Sequence, residues 1–331
     1  MRCQSLSVCR PRDQTLTLAG GKNQFARLTY VTALAVWWAR FTAMASKVIR
    51  EISLAAVWQL SRPSSLLVTV VSSLLGLASA AGCGIQPDWA AALAALLLAV
   101  MFHAGVNLLQ TYYAARQGMP GNPSEDSFVA GHGVGLIRQG VITLAETRQL
   151  AWVMLGLVII AGVALALKAG GGLLLIGLDA ALLAWECVVP PMRLGKRGGA
   201  EVCAALGWWL VALGADYVQR HHFFVIPAVE AASFALLVAT IATAQSAMQN
   251  SLTATPGTRQ GLSLKWCLAW YLVPMVLAYG WLVGGVALLY QPHQALWGLL
   301  SLPLSLAGAG MLVGAVSLPQ RARLAWPGSS R

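Results

Sequence analysis

The chain has 331 residues, of which 58% are hydrophobic and only 10% are charged, whereas a soluble globular domain carries about a quarter charged residues. Too few polar side chains are present to cover a soluble surface, so most of the surface must face lipid and a soluble fold is excluded. The formal net charge of +11 comes without a basic and aromatic cluster, so we expect cations that contact anionic lipid and no nucleic-acid partner.

The first 45 residues form a basic, mostly polar extension that differs from the rest of the chain. The apolar patch from Val31 to Trp38 is shorter than the about 20 residues that span a bilayer, and it lacks the form of a signal peptide. Three interpretations are open: a disordered basic arm, an interfacial anchor, or an over-extended start whose natural first residue is Met44. We favour the over-extended start.

Long apolar segments follow, each able to cross about 30 Å of hydrocarbon at about 1.5 Å per residue. They predict an all-α polytopic transmembrane bundle of about eight helices over residues 46–320, with a basic cytoplasmic tail at 321–331. Frequent Gly, Ala and Ser residues are typical of helix–helix contact in lipid. Very short loops join the third helix to the fourth and the seventh to the eighth, which predicts antiparallel neighbours. The predicted helices are 64–84, 88–113, 147–168, 170–190, 199–219, 225–248, 266–290 and 294–317.

Basic residues predict the orientation of this bundle. Of the 22 Lys and Arg residues, only Lys168 and Arg220 fall in loops on the outer side, and an excess of cations marks the cytoplasmic side. We therefore expect a multi-pass integral membrane protein, in the bacterial inner membrane, with cytoplasmic N- and C-termini. Two inner loops, at about 114–146 and 249–265, are too long to be simple turns and are expected to carry function.

The cysteines show no recognisable metal-binding or disulfide pattern. None forms a C-x-x-C pair, and four lie in or beside apolar segments. This spacing predicts neither a zinc site nor a disulfide framework, and we expect the cysteines to act as small buried hydrophobes. They are Cys3, Cys9, Cys83, Cys187, Cys203 and Cys267.

Several short sequence motifs occur in order between about residues 62 and 290. They are Arg62-Pro63-Ser64-Ser65-Leu66; His103-Ala104-Gly105-Val106-Asn107-Leu108-Leu109 with Tyr112-Tyr113; Gly118 with Gly140-Val141; Pro190-Pro191-Met192-Arg193-Leu194 with Arg197-Gly198 and Glu201; and Gly214-Ala215 with Tyr217-Val218-Gln219. In this order they resemble the UbiA superfamily of intramembrane prenyltransferases, nearest to the dihydroxynaphthoate prenyltransferases of the menaquinone pathway. The resemblance implies a central cavity, open to the inner leaflet, where two Asp-rich loops hold Mg²⁺ and the diphosphate of an isoprenoid donor.

Both Asp-rich motifs are degenerate in this chain. The first normally reads Asn-x-x-Asn-Asp-x-x-Asp and the second Asp-x-x-x-Asp. The stretch 245–253, which matches the second, contains no acid, and neither Asp nor Glu occurs from Ala231 to Arg331. We therefore predict no metal ligands. The residues at the positions of the first motif and of a further expected acid are Asn107, Gln110, Thr111, Ala114 and Pro120.

The remaining acids and a histidine have two interpretations each. Glu125 and Asp126, the weak catalytic candidates, are either a relocated metal site or a solvated loop. Asp179 and Glu186 lie two turns apart on the fourth predicted helix, as a site or as locally bonded acids. His103 precedes Asn107 by four residues on one helical face, so the pair either lines a head-group pocket or forms a buried contact.

Cationic, amide and aromatic side chains are the candidates for binding a lipid. Guanidinium and ammonium groups hold phosphate without a metal, although simple contact with lipid head groups is the competing explanation. Aromatic side chains suit an isoprenoid groove but are also typical of membrane interfaces. The candidates are Asn107, Gln110, Tyr112, Arg138, Arg193, Lys196 and Arg197.

Two functions are consistent with these residues. One is an active prenyltransferase that moves an isoprenoid chain from a polyprenyl diphosphate to an aromatic or quinone-precursor acceptor, with Mg²⁺ as cofactor. The other is a pseudoenzyme that binds an isoprenoid or quinone-like lipid without a cofactor, as a partner of an active paralogous enzyme. The missing carboxylates favour the second. A transporter is disfavoured because no internal repeat and no paired broken helices are found.

Overall fold

The computed structural model of the protein describes residues 54–116, 131–192, 194, 199–253, 264–288 and 293–317, together with Val36 and Ala39. The chain divides into two units, Met1–Glu51 and Ile52–Arg331. The predicted extension at 1–45, apart from those two residues, and the predicted tail at 321–331 lie outside the described residues. The fold described below is that of the second unit.

Every described segment of this unit with regular structure is helical, as predicted. All eight segments predicted to span the membrane contain a long helix, and the last is divided into a 3₁₀ helix followed by an α-helix. The elements are α1 (Leu54–Leu60), α2 (Pro63–Gly82), α3 (Trp89–Arg116), α4 (Gly131–Arg138), α5 (Leu144–Ala169), α6 (Gly172–Val188), α7 (Ala200–Arg220), α8 (Val225–Thr253), α9 (Leu264–Ala287), the 3₁₀ helix His293–Ser301 and α10 (Leu302–Ser317).

Seven of these helical segments are long and apolar enough to cross a membrane, which fits a multi-pass integral membrane protein. The remaining predicted span, α6, has 17 residues and extends about 25 Å, slightly less than the hydrocarbon core. Large apolar side chains cover the outer faces of the bundle; for example, Leu167 is 84% exposed and Leu67 is 64% exposed. A surface of this kind suits lipid better than water.

Side-chain contacts show how the long helices run relative to one another. Antiparallel pairing of α2 and α3 brings Thr69 to His103 and Ser65 to Asn107. The predicted antiparallel pairing of the last two spans is confirmed, because two tyrosines of α9 bond to Ser301 and Ser305. In contrast, α7 runs parallel to α2.

The alternation of helix direction separates the described charged residues into two groups. We call the end that contains the first turn of α2 the basic end, and the other the mixed-charge end. Which compartment each end faces stays a prediction. The basic end holds Arg62, Arg116, Arg138 and Arg148 together with Glu146, Glu186 and Glu201, and the mixed-charge end holds Asp88, Lys168, Asp216, Arg220 and Glu230.

The prediction that the cysteines form no disulfide is wrong for Cys187 and Cys203. These two residues are bonded, with their Cα atoms 6.5 Å apart. They meet because α6 and α7 pack antiparallel, so the last turn of one lies beside the first turn of the other. Cys83 is exposed, contrary to the expected burial, whereas Cys267 is buried as expected.

A proline in the middle of α9 determines one contact between α8 and α9. Pro274 has no backbone N–H, so the carbonyl of Trp270 lacks the helical donor that it would otherwise have. The hydroxyl of Thr243 lies 3.2 Å from that carbonyl oxygen and 2.9 Å from the carbonyl of Ala239. Thr243 on α8 is therefore placed to donate to the carbonyl that the proline leaves unpaired.

We expect Thr243→Val to lower the free energy of unfolding by about 0.5–1.5 kcal/mol, because the Trp270 carbonyl then has no donor in an apolar surrounding. The same change in a Pro274→Ala background should cost less, since the alanine introduced there has a backbone N–H that restores the helical bond. A matched control is Thr240→Val, whose hydroxyl donates to the carbonyl of Leu237 within its own helix. The free energy of unfolding of each variant is measured in mixed micelles. Equal losses of stability from Thr243→Val in the wild-type and Pro274→Ala backgrounds would contradict the hydrogen bond from Thr243 to the Trp270 carbonyl.

Candidate functional site

A polar cluster lies between α2, α3 and α7 in the half of the bundle nearer the basic end. It is set in a bundle whose other contacts are mainly apolar, and hydrogen bonds connect its members across the three helices. We call it the Arg62 cluster. Its members are Arg62, Ser65, Thr69, His103, Asn107, Gln110 and Trp208.

Asn107 fixes the backbone turn that presents Arg62. Arg62 separates α1 from α2 and adopts a left-handed conformation, with φ at 54°; Pro63 then starts the helix, a position that its missing N–H suits. The side-chain amide of Asn107 donates to the carbonyl of Ser61 at 2.9 Å and to the Ser65 hydroxyl at 3.1 Å. Asn107 is buried and its side chain positions the turn; its hydrogen-bond partners are Ser61 and Ser65, whereas His103 bonds to Thr69.

The guanidinium group of Arg62 donates to Oε1 of Gln110 at 3.2 Å. Burial lowers the pKa of Arg62 to about 10, and the group stays protonated at neutral pH. No ion pair to Arg62 forms within the part of the chain that the structure describes. Because a neutral amide is a weaker partner than a carboxylate, this cation retains capacity for an anionic or acceptor-rich ligand.

Thr69 orients the ring of His103. The indole N–H of Trp208 donates to the Thr69 hydroxyl at 3.1 Å, and His103 Nδ1 lies 2.6 Å from the same oxygen. We assign the Thr69 hydroxyl hydrogen to His103 Nδ1, since no other acceptor for it occurs among the described residues. The neutral imidazole then carries its hydrogen on Nε2, and the Trp208 ring meets it edge-on at 5.3 Å.

The arrangement therefore places two hydrogen-bond donors along one side of α3. His103 and Gln110 are seven residues apart, so the imidazole and the Arg62 guanidinium beside Gln110 are separated by about 10 Å along the helix axis. Carbonyl and phosphate oxygens are the natural partners of such donors. The cluster can hold an acceptor-rich head group by hydrogen bonds and by one positive charge.

Two other predicted candidates lie away from this cluster. Tyr112 is buried toward α5: its ring packs edge-on against Tyr113, and the guanidinium carbon of Arg148 lies 6.0 Å from its centroid. Arg138 is the exposed last residue of α4. The tyrosine therefore stabilises the contact of α3 with α5. The remaining candidates, Glu125, Asp126, Arg193, Lys196 and Arg197, lie outside the described residues.

The acids of the fourth predicted helix do not join the cluster either. Asp179 is exposed and Glu186 is partly buried on α6, and no hydrogen bond links them to the Arg62 cluster. In the described residues no three His, Cys, Asp or Glu side chains come close enough together to hold a metal ion. Thr111 and Ala114 occupy the motif positions where the resemblance implies aspartates, and Gln110, at the position of the second asparagine, accepts a hydrogen bond from Arg62.

An ionic cluster that was not predicted from the sequence lies at the mixed-charge end. Arg220 was predicted in a loop, but it lies in the last turn of α7, where Nε donates to both oxygens of Asp216 at 2.7 and 2.9 Å. Both side chains are buried, at 4% and 2% exposure, and Arg220 Nη2 donates to the carbonyl of Ser79 at 3.0 Å. The spacing of four residues between opposite charges on a predicted helix is the signal that could have shown the pair.

Comparisons of the chain with protein-family models, with curated proteins and with solved structures find no match.

Proposed function

We propose that the protein is an integral membrane protein of the UbiA-type prenyltransferase class that binds the head group of an isoprenoid or quinone-like lipid at the Arg62 cluster. In this proposal the tail lies along the apolar faces of the bundle. The lipid is held by donors of the protein itself and not through Mg²⁺. The protein acts as a binding protein, in the manner of a pseudoenzyme.

One observation carries the proposal: the Arg62 guanidinium bonds to Gln110, the residue directly before Thr111, where the motif of that class would have a metal-binding aspartate. A carboxylate would repel diphosphate oxygens unless a divalent cation lay between them. A guanidinium with an amide partner attracts such oxygens directly, and it also donates to the carbonyl of a quinone. His103 adds a neutral donor at a distance that suits a second oxygen of the same head group.

Removal of the positive charge is the direct test. With the full chain in lipid nanodiscs, Arg62→Gln should weaken the binding of a polyprenyl diphosphate by about 10- to 100-fold, the range expected for one charge-assisted hydrogen bond. Binding of a neutral menaquinone should weaken less, because it loses only a hydrogen bond. The fluorescence of Trp208, measured against Trp208→Phe, reports occupancy. Arg116→Gln, an exposed arginine near the same end of α3, is the matched control.

The same preparation separates binding from catalysis. We expect no transfer of a radiolabelled isoprenoid chain to aromatic acceptors in the presence of Mg²⁺. Transfer above the no-protein control that is abolished by EDTA would replace the proposal with the active prenyltransferase, and loss of that transfer in Glu125→Gln with Asp126→Asn would identify the metal ligands. Unchanged affinities in Arg62→Gln would remove the Arg62 cluster as the binding site.

A further inference from the structure

We propose that Glu230, together with the Asp216–Arg220 ion pair and Ser79, forms a proton-binding site at the mixed-charge end of the bundle. Nothing in the proposed lipid site requires it, since the two clusters lie at opposite ends of α2. Along that helix Ser79 lies 17 residues, or about 26 Å, from Arg62 and ten residues, or about 15 Å, from Thr69.

The charges of this cluster do not balance when both of its carboxyl groups are ionised. Arg220 is the single cation inside this cluster, and its Nε bonds to both oxygens of Asp216. Glu230 on α8 is partly buried and lies within electrostatic range of both residues. Two carboxyl groups therefore share one guanidinium, and that guanidinium is directed at Asp216. An ionised Glu230 would leave one negative charge uncompensated.

The surroundings of Glu230 offer little else to compensate that charge. No Asp, Glu, Lys, Arg or His occurs in α2, in α10 or between Trp266 and Ala287 of α9. The nearby polar groups are the thiol of Cys83, which contacts Arg220, and the exposed imidazole of His222, which faces Asp216. An unpaired carboxylate is strongly disfavoured in such a setting, because apolar surroundings do not solvate its charge.

Ser79 provides the second, independent observation. Its carbonyl accepts from Arg220, while its hydroxyl is buried and makes no completed hydrogen bond, although it lies beside the Glu230 carboxyl. A buried unpaired hydroxyl requires a partner. Glu230 is the partner beside it: its carboxyl can accept the hydroxyl hydrogen in either protonation state, and when protonated it can also donate to the hydroxyl oxygen.

A proton fits this site better than an alkali cation does. Alkali and alkaline-earth cations take about six oxygen ligands, but both oxygens of Asp216 are already bonded to Arg220. The side-chain oxygens of this cluster that remain are those of Glu230 and the hydroxyl of Ser79, too few for such a shell. Protonation neutralises the excess charge without further ligands: Glu230 takes one hydrogen ion from water, and no other bond changes.

Infrared spectroscopy of the full chain in nanodiscs tests the proposal. We expect a carbonyl band of a protonated carboxylic acid at neutral pH that shifts when the protein is labelled with ¹³C-glutamate, which separates Glu230 from Asp216. The band should disappear in Glu230→Gln and persist in Glu186→Gln, the control at a partly buried glutamate of α6. The labelled wild type keeps the test valid if a variant fails to fold.

Two outcomes would overturn the proposal. Wild-type protein without a glutamate-dependent band at neutral pH would show that Glu230 is ionised. Loss of the band when Na⁺ replaces choline at constant pH would assign the site to an alkali cation. Neither result bears on lipid binding at the Arg62 cluster, so failure here is distinguishable from failure of the proposed function.

Discussion

Replacing Arg220 with methionine should lower the free energy of unfolding by about 3–5 kcal/mol, the range for removing one partner of a buried ion pair. The change leaves the Asp216 carboxylate, which is 2% exposed, without its cation in a low-dielectric surrounding. It also removes the donor to the Ser79 carbonyl. Methionine keeps most of the buried volume, so the loss reports electrostatics and hydrogen bonding. Reversible unfolding by steric trapping in bicelles gives the free energy.

A second ion pair at the same end of the bundle provides the control. Lys168 Nζ lies 2.6 Å from a carboxylate oxygen of Asp88, but these side chains are 60% and 45% exposed. The hydrogen bond from Lys168 lowers the pKa of Asp88, yet water and ions screen exposed pairs strongly. Lys168→Met should therefore have little effect on stability. Similar losses for the two variants would show that burial does not determine the strength of these pairs.

A double variant tests whether the loss of stability comes from the Asp216 carboxylate that is left without its cation. Replacing Asp216 with leucine in the Arg220→Met background removes the orphaned carboxylate as well as the cation. Buried ion pairs can often be exchanged for apolar residues of similar volume with little loss. We expect the double variant to recover most of the stability lost by the single one. A double variant that is less stable than Arg220→Met would contradict this explanation.

The helical fold could be predicted because an apolar segment of about 20 residues crosses a bilayer as an α-helix, which satisfies its backbone hydrogen bonds internally. The structure differs where tertiary packing determines the result. The segment from His293 to Ser301 is a 3₁₀ helix before α10 begins, and α6 is shorter than the predicted 170–190. Helix ends depend on local hydrogen bonds that hydropathy does not report.

The candidate site was predictable only in part. Asn107 and Gln110 were identified by resemblance and do belong to the Arg62 cluster. The partners of His103 were not predictable, because Thr69 lies 34 residues away and Trp208 lies 139 residues from Thr69. Such contacts depend on how α2, α3 and α7 pack. Spacing within one helix cannot show them.

The disulfide and the basic residues indicate different environments for the basic end. Cationic loops predict that this end is cytoplasmic. Disulfides persist in oxidising compartments and are rare in the cytosol, yet Cys187 and Cys203 form one at this end of α6 and α7. The orientation predicted from charge depends on many Lys and Arg residues, whereas the disulfide involves a single pair of cysteines. The cytoplasmic orientation of the termini stays a prediction.

Introducing a valine at Gly76 should destabilise the bundle by about 3 kcal/mol or more, at the upper end of the range for overpacking. Gly76 lies at a close approach of α2 to α7: an added Cβ would overlap the carbonyl oxygen of Ala212 and lie 2.9 Å from both the Cβ of Ala215 and the amide nitrogen of Asp216. These atoms are backbone or directly attached to it, so no side-chain rotation relieves the overlap.

A valine at Gly162, in the interior of α5, is the matched control, because an added Cβ there meets nothing within 4 Å. Replacing glycine with valine changes the intrinsic helix propensity equally in both variants. The difference between their unfolding free energies therefore reports the contact of α2 with α7. Because this contact also aligns Thr69 with Trp208, Gly76→Val should weaken lipid binding at the Arg62 cluster, whereas Gly162→Val should not. Unfolding free energies and binding in nanodiscs measure both effects, and equal stabilities for the two variants would contradict the close approach of the helices.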